Sequence, residues 1–351
     1  MKVLVVSNMG PKLSAPLQGE FVVKQVMRLK ETALDISYFG LHWNGDNFIH
    51  KLLKYPVFFI RFFFTHIVAK KQNDIIHIHY YFPTIICAAL YKVFRNRKVK
   101  IIVTCHGSDI YYYTPPNWLY KKLSFIVDHW FFTSEKLYRR FYRPLANKSI
   151  LCAGYDDHVF TNKHENLAKT IDCLFIGSLD INKGVDRLKW LAEQLPNVNF
   201  TIVGNGPLEQ ELRDFSVHHK NFVMKGQQTP LALAQLLKQS KLLLSLSRNE
   251  SFGLVMTEAH ACKTPCVVTA TDGSLAQLEG WPYITHQDEN ELITLENLKN
   301  NIMDILQLDN DTYQSVRNLA HAKSIKYSLS YVVDEINQVY IKQGLDSSSN
   351  I

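Results

Sequence analysis

No two cysteines in this sequence have the Cys-x-x-Cys spacing of a zinc site or a redox pair; the six, at 87, 105, 152, 173, 262 and 266, mostly sit inside apolar runs. That argues against a disulfide scaffold and for buried thiols in a reducing compartment. There is no low-complexity tract and no fixed-period repeat, which speaks against a solenoid or propeller. The apolar run in "MKVLVVSNMG" is too short for the core of a secretory leader, and no small-residue cleavage site follows, so it reads as a first buried strand. The aromatic stretch "KLLKYPVFFIRFFFTHIVAKK" (51–71) is interrupted by Arg61 and His66. It falls short of the roughly 20 apolar residues of a membrane-spanning helix. Acidic residues are scarce in one half only. Residues 1–165 hold 23 Lys+Arg against 11 Asp+Glu (23 − 11 = +12), whereas residues 166–351 hold 16 against 21 (16 − 21 = −5). A half this basic suits an anionic partner, a membrane surface or a nucleic acid, unless the basic face is simply solvated.

What is present is an ordinary globular composition, 46% hydrophobic and 20% charged over 351 residues, enough for two domains. Short β-branched runs alternate with longer amphipathic stretches. The runs predict strands at 2–7, 35–39, 75–79, 100–104, 129–133 and 148–152, then at 172–177, 199–203, 221–225, 242–246, 265–268 and 283–285. Helical spacing covers 184–194, 208–218, 231–239 and 330–342, among others. This alternation predicts an α/β protein of two doubly wound, Rossmann-like domains, with parallel sheets facing an interdomain cleft. The polar stretch "TNKHENLAKTI" (161–171) is the expected linker. An N-terminal domain of residues 1–163 is then joined by a C-terminal helix from about 330 to 345; residues 164–329 form the second domain, and 346–351 a disordered tail.

The segment "RNESFGLVMTEAHACKTPCVV" (248–268) follows the apolar run "KLLLSLS" and places Glu250 and Glu258 around a strand-to-helix step. A helix N-terminus attracts phosphate, and carboxylates beside phosphate repel it. Their chemistry is instead to accept hydrogen bonds from neutral hydroxyls on either side, the pattern a nucleotide sugar offers. Helix capping for Glu250 and a solvated helix face for Glu258 are the structural alternatives.

The segment resembles the E-x7-E stretch of retaining glycosyltransferases with the GT-B fold, in glycosyltransferase family four. Other segments are similar in order: "DIIHIHYYFPT" (74–84), "VTCHGSDIYY" (103–112), "ILCAGYDDHVF" (150–160), "FIGSLDINKGVDRL" (175–188) and "FTIVGNGPLEQEL" (200–212). The likeness covers nearly the whole chain and is densest between 172 and 270.

The resemblance implies a metal-independent hexosyltransferase that acts with retention and needs no cofactor. The N-terminal domain would bind an acceptor, and the C-terminal domain a UDP- or GDP-sugar. His106 and Glu250 would act at the donor sugar, and Glu258 at the ribose. Lys183 and the amides of Phe252, Gly253 and Leu254, with Ser251 beside them, would hold the diphosphate. Gly204 and Gly206 would line the nucleotide pocket. The family often has Arg after the glycine where this chain has Ser178, and Arg248 is the candidate substitute. The first loop, "NMGPKLSAPLQGEFV" (8–22), lacks the family's Gly-Gly pair and offers only Gly19.

Two motifs invite a metal. His77 and His79 alternate on one strand face, but no matching carboxylate or cysteine cluster accompanies them; Asp309-x-Asp311 reads better as the cap of the helix that follows. No metal site is therefore expected. On a helix, Lys51, Lys54 and Arg61 share a face of the 51–71 stretch, which suits either an interfacial helix on an anionic membrane or a core helix. Arg95–Lys100 and Lys121–Lys122 favour the membrane. The reading is thus a cytoplasmic enzyme, peripheral on the inner face of the plasma membrane, acting on a lipid-linked or cell-surface glycan precursor in cell-envelope polysaccharide biosynthesis. A nucleotide-sugar epimerase or hydrolase of the same fold and a non-catalytic GT-B partner protein are the alternatives. A nucleic-acid partner is not expected, because the aromatics cluster in an apolar helix rather than along a basic groove.

Overall fold

The computed structural model describes residues 1–10, 19–41, 48–163, 167–250 and 252–348, the side chains of 48–51 and 346–348 excepted. The chain divides into two compact units, Met1–Gly154 with Leu329–Ile351, and Tyr155–Ser328. The division after Gly154 lies ahead of the stretch expected to be the linker.

The first unit holds a parallel sheet of β1 (Lys2–Ser7), β2 (Asp35–Gly40), β3 (Ile75–His79), β4 (Lys100–Cys105), β5 (His129–Phe132) and β6 (Lys148–Ile150), in the order β2-β1-β3-β4-β5-β6. Every residue of β3, and all but the first of β1 and β4, is buried. Strands covered on both faces have no polar side, which explains why these segments are continuously apolar. The short edge strand β6 is only partly covered. The helix Leu329–Ser348 belongs to this unit and runs beyond its expected end. It buries Val332, Ile336 and Tyr340, one turn apart, and its Ser330 accepts a 2.8 Å bond from Arg28.

The second unit repeats the design with β7 (Ile171–Ile176), β8 (Phe200–Val203), β9 (Phe222–Gly226), β10 (Ser240–Ser245), β11 (Cys266–Thr269) and β12 (Ile284–Thr285), ordered β12-β11-β10-β7-β8-β9 and parallel throughout. Two apolar clusters contain its buried residues, one around Phe175, Leu188 and Leu244, the other around Leu174, Leu243 and Met256. In each sheet the chain builds outward from its first strand, then crosses back to that strand's other side. The reversal lies between β1 and β3 in one unit and between β7 and β10 in the other. Loops leaving the carboxyl ends of those two strands diverge there, which opens a crevice in sheets of this kind.

The 51–71 stretch has one apolar face in the core and another exposed. It forms the helix Phe48–Phe62, which widens into a π-helical turn at Phe63–Val68. Phe58, Phe62 and His66 form a buried stripe against Phe39, with ring centroids 5.3, 5.4 and 5.2 Å away. Leu53, Ile60, Phe64 and Val68 form an exposed row on the opposite side. Lys51 lies outside the described side chains. Among the described residues no helix is long and apolar enough to cross a membrane.

Candidate functional site

In the second unit, the loops after β7 and β10 are stitched together at the reversal point. Arg248 N donates to Asn182 O at 2.7 Å, Asn249 N to Asn182 Oδ1 at 3.2 Å, and Asn182 Nδ2 back to Asn249 O at 3.1 Å. Lys183 N is fixed by Asp180 Oδ1 at 2.9 Å. The stitching brings Lys183 Nζ onto Glu250 as a hydrogen-bonded ion pair. Two residues sixty-seven apart in sequence thus meet because their strands are adjacent.

The turn at 203–207 lies directly on the loop after β7. A Cβ at Gly204 would sit 1.8 Å from Gly177 O, and one at Gly206 would sit 2.6 Å from Leu179 N. Both approaches are to backbone, so neither can be relieved by moving a side chain, and the two glycines are required for the loops to touch.

Beyond Glu250 the backbone is tied to the segment after β11. Gly273 N donates to Glu250 O at 2.8 Å, and the Gln277 amide donates to Phe252 O. Gly253 takes the left-handed conformation, φ 77°, and the helix Leu254–Ala261 starts there with no side-chain cap on its first turn. Met256 N donates to Gly253 O at 3.2 Å, and the leading N–H groups carry the positive end of the helix dipole. Glu258 lies partly buried on the second turn of this helix. Ser251 lies outside the described residues.

Arg248 is the candidate second phosphate cation. Its terminal nitrogens lie against Asp186 (2.8 and 2.7 Å), Glu291 (3.1 Å) and Ile181 O (2.7 Å). Glu291 also takes the buried Arg187 in a forked pair, 2.6 and 3.0 Å, while Arg187 donates to Leu246 O at 3.0 Å. Burial alone would raise the Asp186 carboxyl; the Arg248 guanidinium outweighs it and holds that carboxyl below the usual range. This network braces the loop that carries Lys183. It went unseen in the sequence because Asp186, Arg187 and Glu291 sit on helices whose polar residues look like ordinary surface.

In the first unit, the strand ends carry neutral rings. His79 ends β3 and His106 follows β4, and His79 Nδ1 lies 3.0 Å from His106 Nε2. Tyr80 and Phe21 also pack against His106, with centroids 4.5 and 4.9 Å away. Phe21 belongs to the helix Glu20–Leu29, which begins after Gly19, so the end of the first loop and His106 come together; residues 11–18 of that loop lie outside the described residues. His77 hydrogen-bonds Tyr340 through Nδ1 (2.6 Å) and Thr104 through Nε2 (2.7 Å), which accounts for both nitrogens without a metal. Burial depresses His79 to about 3, and drives His77 and His106 well below the usual imidazole value.

Asp109 was missed as an organising residue. Its Oδ1 accepts from His106 N (3.0 Å) and Gly107 N (2.8 Å), and its Oδ2 from Tyr81 N (2.8 Å), so one buried carboxylate clamps the loop after β4 to the helix after β3. Burial outweighs these three N–H groups and leaves its carboxyl raised. The signal was in "HGSD": a carboxylate two or three residues after a turn's N–H groups is placed to accept them. Asp309 caps the helix Asn310–Ser324, accepting from Thr312 N at 2.9 Å. Among the described residues no group of three or more His, Cys, Asp or Glu is arranged to hold a metal ion.

Residues 158–293 match the family model described as Glycosyl transferases group 1, and residues 41–147 match Glycosyltransferase Family 4. A curated relative, the N-acetyl-alpha-D-glucosaminyl L-malate synthase of Bacillus anthracis, is 28% identical over 229 residues, which is 59% of this chain and 59% of that protein. The chain thus aligns with under two thirds of that relative's length. Among solved structures, sucrose-phosphate synthase from Thermosynechococcus elongatus superposes with a TM-score of 0.71 at 17% identity, over 97% of this chain and 98% of that one. Anabaena Alr3699/HepE in complex with UDP superposes with a TM-score of 0.68 at 14% identity, over 97% of this chain and 100% of that one. The chain therefore has the GT-B fold, with a glycosyltransferase family 4-type domain followed by a glycosyl transferases group 1 domain.

Proposed function

We propose that this protein is a retaining, metal-independent hexosyltransferase that moves a sugar from a UDP- or GDP-sugar to a lipid-linked or cell-surface glycan precursor. The observation that carries the reading is the Lys183–Glu250 pair at the β7/β10 reversal, beside the uncapped start of the helix Leu254–Ala261. A cation and converging N–H groups suit a diphosphate, and a carboxylate next to them suits sugar hydroxyls. The UDP bound in the HepE structure supports the same donor class.

Lys183 and the amides of Phe252–Leu254 hold the diphosphate and stabilise the charge that grows on it as its bond to the anomeric carbon breaks. Glu250 orients the donor sugar, Glu258 accepts from the ribose, and the turn at Gly204 and Gly206 lines the nucleotide pocket. The departing phosphate oxygen takes the acceptor hydroxyl's proton while the acceptor oxygen bonds the anomeric carbon from the same face, so no separate base is required. The acceptor binds in the first unit. Metal independence rests on Asp309 being engaged as a helix cap.

An anionic membrane on the cytoplasmic side is the proposed surface on which such an acceptor is met. The exposed row Leu53, Ile60, Phe64 and Val68 supports it, because one apolar face of that helix is already buried and a second faces outward. Asp74 is the one acidic residue between Asn47 and Ser108, so little repels an anionic surface there.

Calorimetry with UDP- and GDP-sugars, followed by turnover with lipid-linked acceptors, tests the reading. Glu250→Gln should lower kcat by about 10–100-fold, the loss of one charge-assisted hydrogen bond, with nucleotide binding largely retained. Activity should survive excess chelator. Unchanged turnover in a folded Glu250→Gln variant would leave Glu250 with only its structural contacts and defeat the assignment.

A further inference from the structure

The pair His79–His106 has a geometry that decides where a proton sits. The ring planes differ by 15° and the centroids are 5.2 Å apart, while Nδ1 of one ring lies 3.0 Å from Nε2 of the other. That centroid separation is the nitrogen–nitrogen distance plus one ring radius on each side. The two nitrogens therefore lie on the line joining the rings, and the hydrogen bond is in-plane and well aligned. Each ring is neutral because of its burial, so each carries one proton.

Two arrangements are then possible. If His106 donates from Nε2, the proton of His79 must lie on its own Nε2, a buried atom with no hydrogen-bond partner among the described residues. If His79 donates from Nδ1, that Nε2 is a bare lone pair, and His106 carries its proton on Nδ1. A buried N–H without an acceptor is the rarer and costlier defect. His77 does not alter the choice, because Tyr340 and Thr104 face its nitrogens with hydroxyls that can donate or accept. Tyr80 and Phe21 pack against the His106 ring, and Asp109 holds its backbone N–H, so the ring has little freedom to turn away.

We propose that His79 is a positioning residue that holds His106 as its Nδ1–H tautomer, so that His106 offers a hydrogen-bond donor to an oxygen of the sugar ligand. Unbiased, a histidine could present either a donor or an acceptor there. The part that concerns the ligand rests on the proposed glycosyl transfer; the tautomer itself does not.

The test separates the two. In full-length protein labelled with ¹⁵N at histidine, long-range ¹H–¹⁵N correlation spectra read which ring nitrogen is protonated, with His106→Gln identifying the His106 signals. Wild-type His106 should appear protonated at Nδ1, and His79→Asn, whose amide can donate from nearly the same place, should keep it so. His79→Leu, which has no donor, should shift His106 toward the Nε2–H form. Protonation of wild-type His106 at Nε2, or a spectrum unaltered in His79→Leu, overturns the proposal. Turnover of UDP-glucose, UDP-N-acetylglucosamine or GDP-mannose provides the second readout. His79→Leu should lower kcat about 10-fold or more with KM little changed, and His79→Asn should restore most of it. Equal losses in both variants would reduce His79 to a packing role and also overturn the proposal. If the wild type turns over none of these donors, the glycosyl-transfer reading is in question while the tautomer assignment is still decided by the spectra.

Discussion

The two sheets share a topology and differ in what stands at their strand ends. In the second unit the loops carry full charges that answer one another, Lys183 with Glu250 and Arg248 with Asp186 and Glu291. In the first unit the corresponding ends carry neutral rings, His79, His106 and Tyr80, with one buried carboxylate spent on backbone N–H groups. The basic surplus of the first half therefore lies elsewhere, on exposed residues such as Lys70, Lys71, Arg97 and Lys98. Net charge by sequence segment and charge at a site are different quantities. Burial excludes lone charges from the interior of the first unit, while ion pairing admits them into the second.

The sharpest way to separate the units is acid. A histidine whose folded-state value is depressed takes up its proton first in the unfolded chain. Its stabilising effect is complete above pH 6.5 and is lost as the pH falls toward the folded value. In the first unit His66 is held to about 4 and His79 to about 3, chiefly by burial, with His77 well below normal; in the second His260, also at about 3, is the counterpart. Each contributes a loss of about 1.4 kcal/mol per pH unit in that window. Methyl resonances of the first unit should broaden or disperse before those of the second between pH 6 and 4. Simultaneous loss would show that the units do not unfold separately.

Gly204→Ala should break the second unit alone. Its Cβ would meet the Gly177 carbonyl, so the loop after β7 must move, at a cost of about 4 kcal/mol. Thermal unfolding should show an early transition for that unit, with the first unit's transition unmoved. Lys183→Ala acts on the charged site itself. UDP binding measured by calorimetry should weaken by about 10–100-fold, and the wild type's affinity should fall with added salt. Any effect of His106→Gln should be the same at low and high salt, because no charge is removed. The smallest effect belongs to the cap at Asp309. Asp309→Ala should lower the thermal stability slightly and leave chelator resistance untouched. Chelator-sensitive activity in the wild type that Asp309→Ala abolishes would instead make Asp309 a ligand.

Much of the fold was legible because buried parallel strands must be apolar throughout. "KVLVVS", "IIHIH" and "KIIVTC" announce themselves by that; the first two have the expected bounds, and the third runs one residue further, to Cys105. The strand-to-helix step at Gly253 was legible for the same reason. Arg248 was not. A guanidinium near a phosphate-binding loop looks the same in sequence whether or not Asp186 and Glu291 fold against it. The 51–71 stretch defeated a single reading because periodicity shows that a helix has apolar faces but not how many of them find a partner.

The sequence by itself determined the alternation of strands and helices, the two-unit plan, the glycines where backbones must touch, and the residue types available for a diphosphate and a sugar. These follow from local propensity and from the composition that burial imposes. Only the tertiary structure decided which of those residues meet. Lys183 reaches Glu250 because β7 and β10 are neighbours across the reversal in strand order. His79 faces His106 because β3 and β4 pair in register. Strand order is chosen by how whole helices and sheets pack, and no short stretch of sequence contains that information.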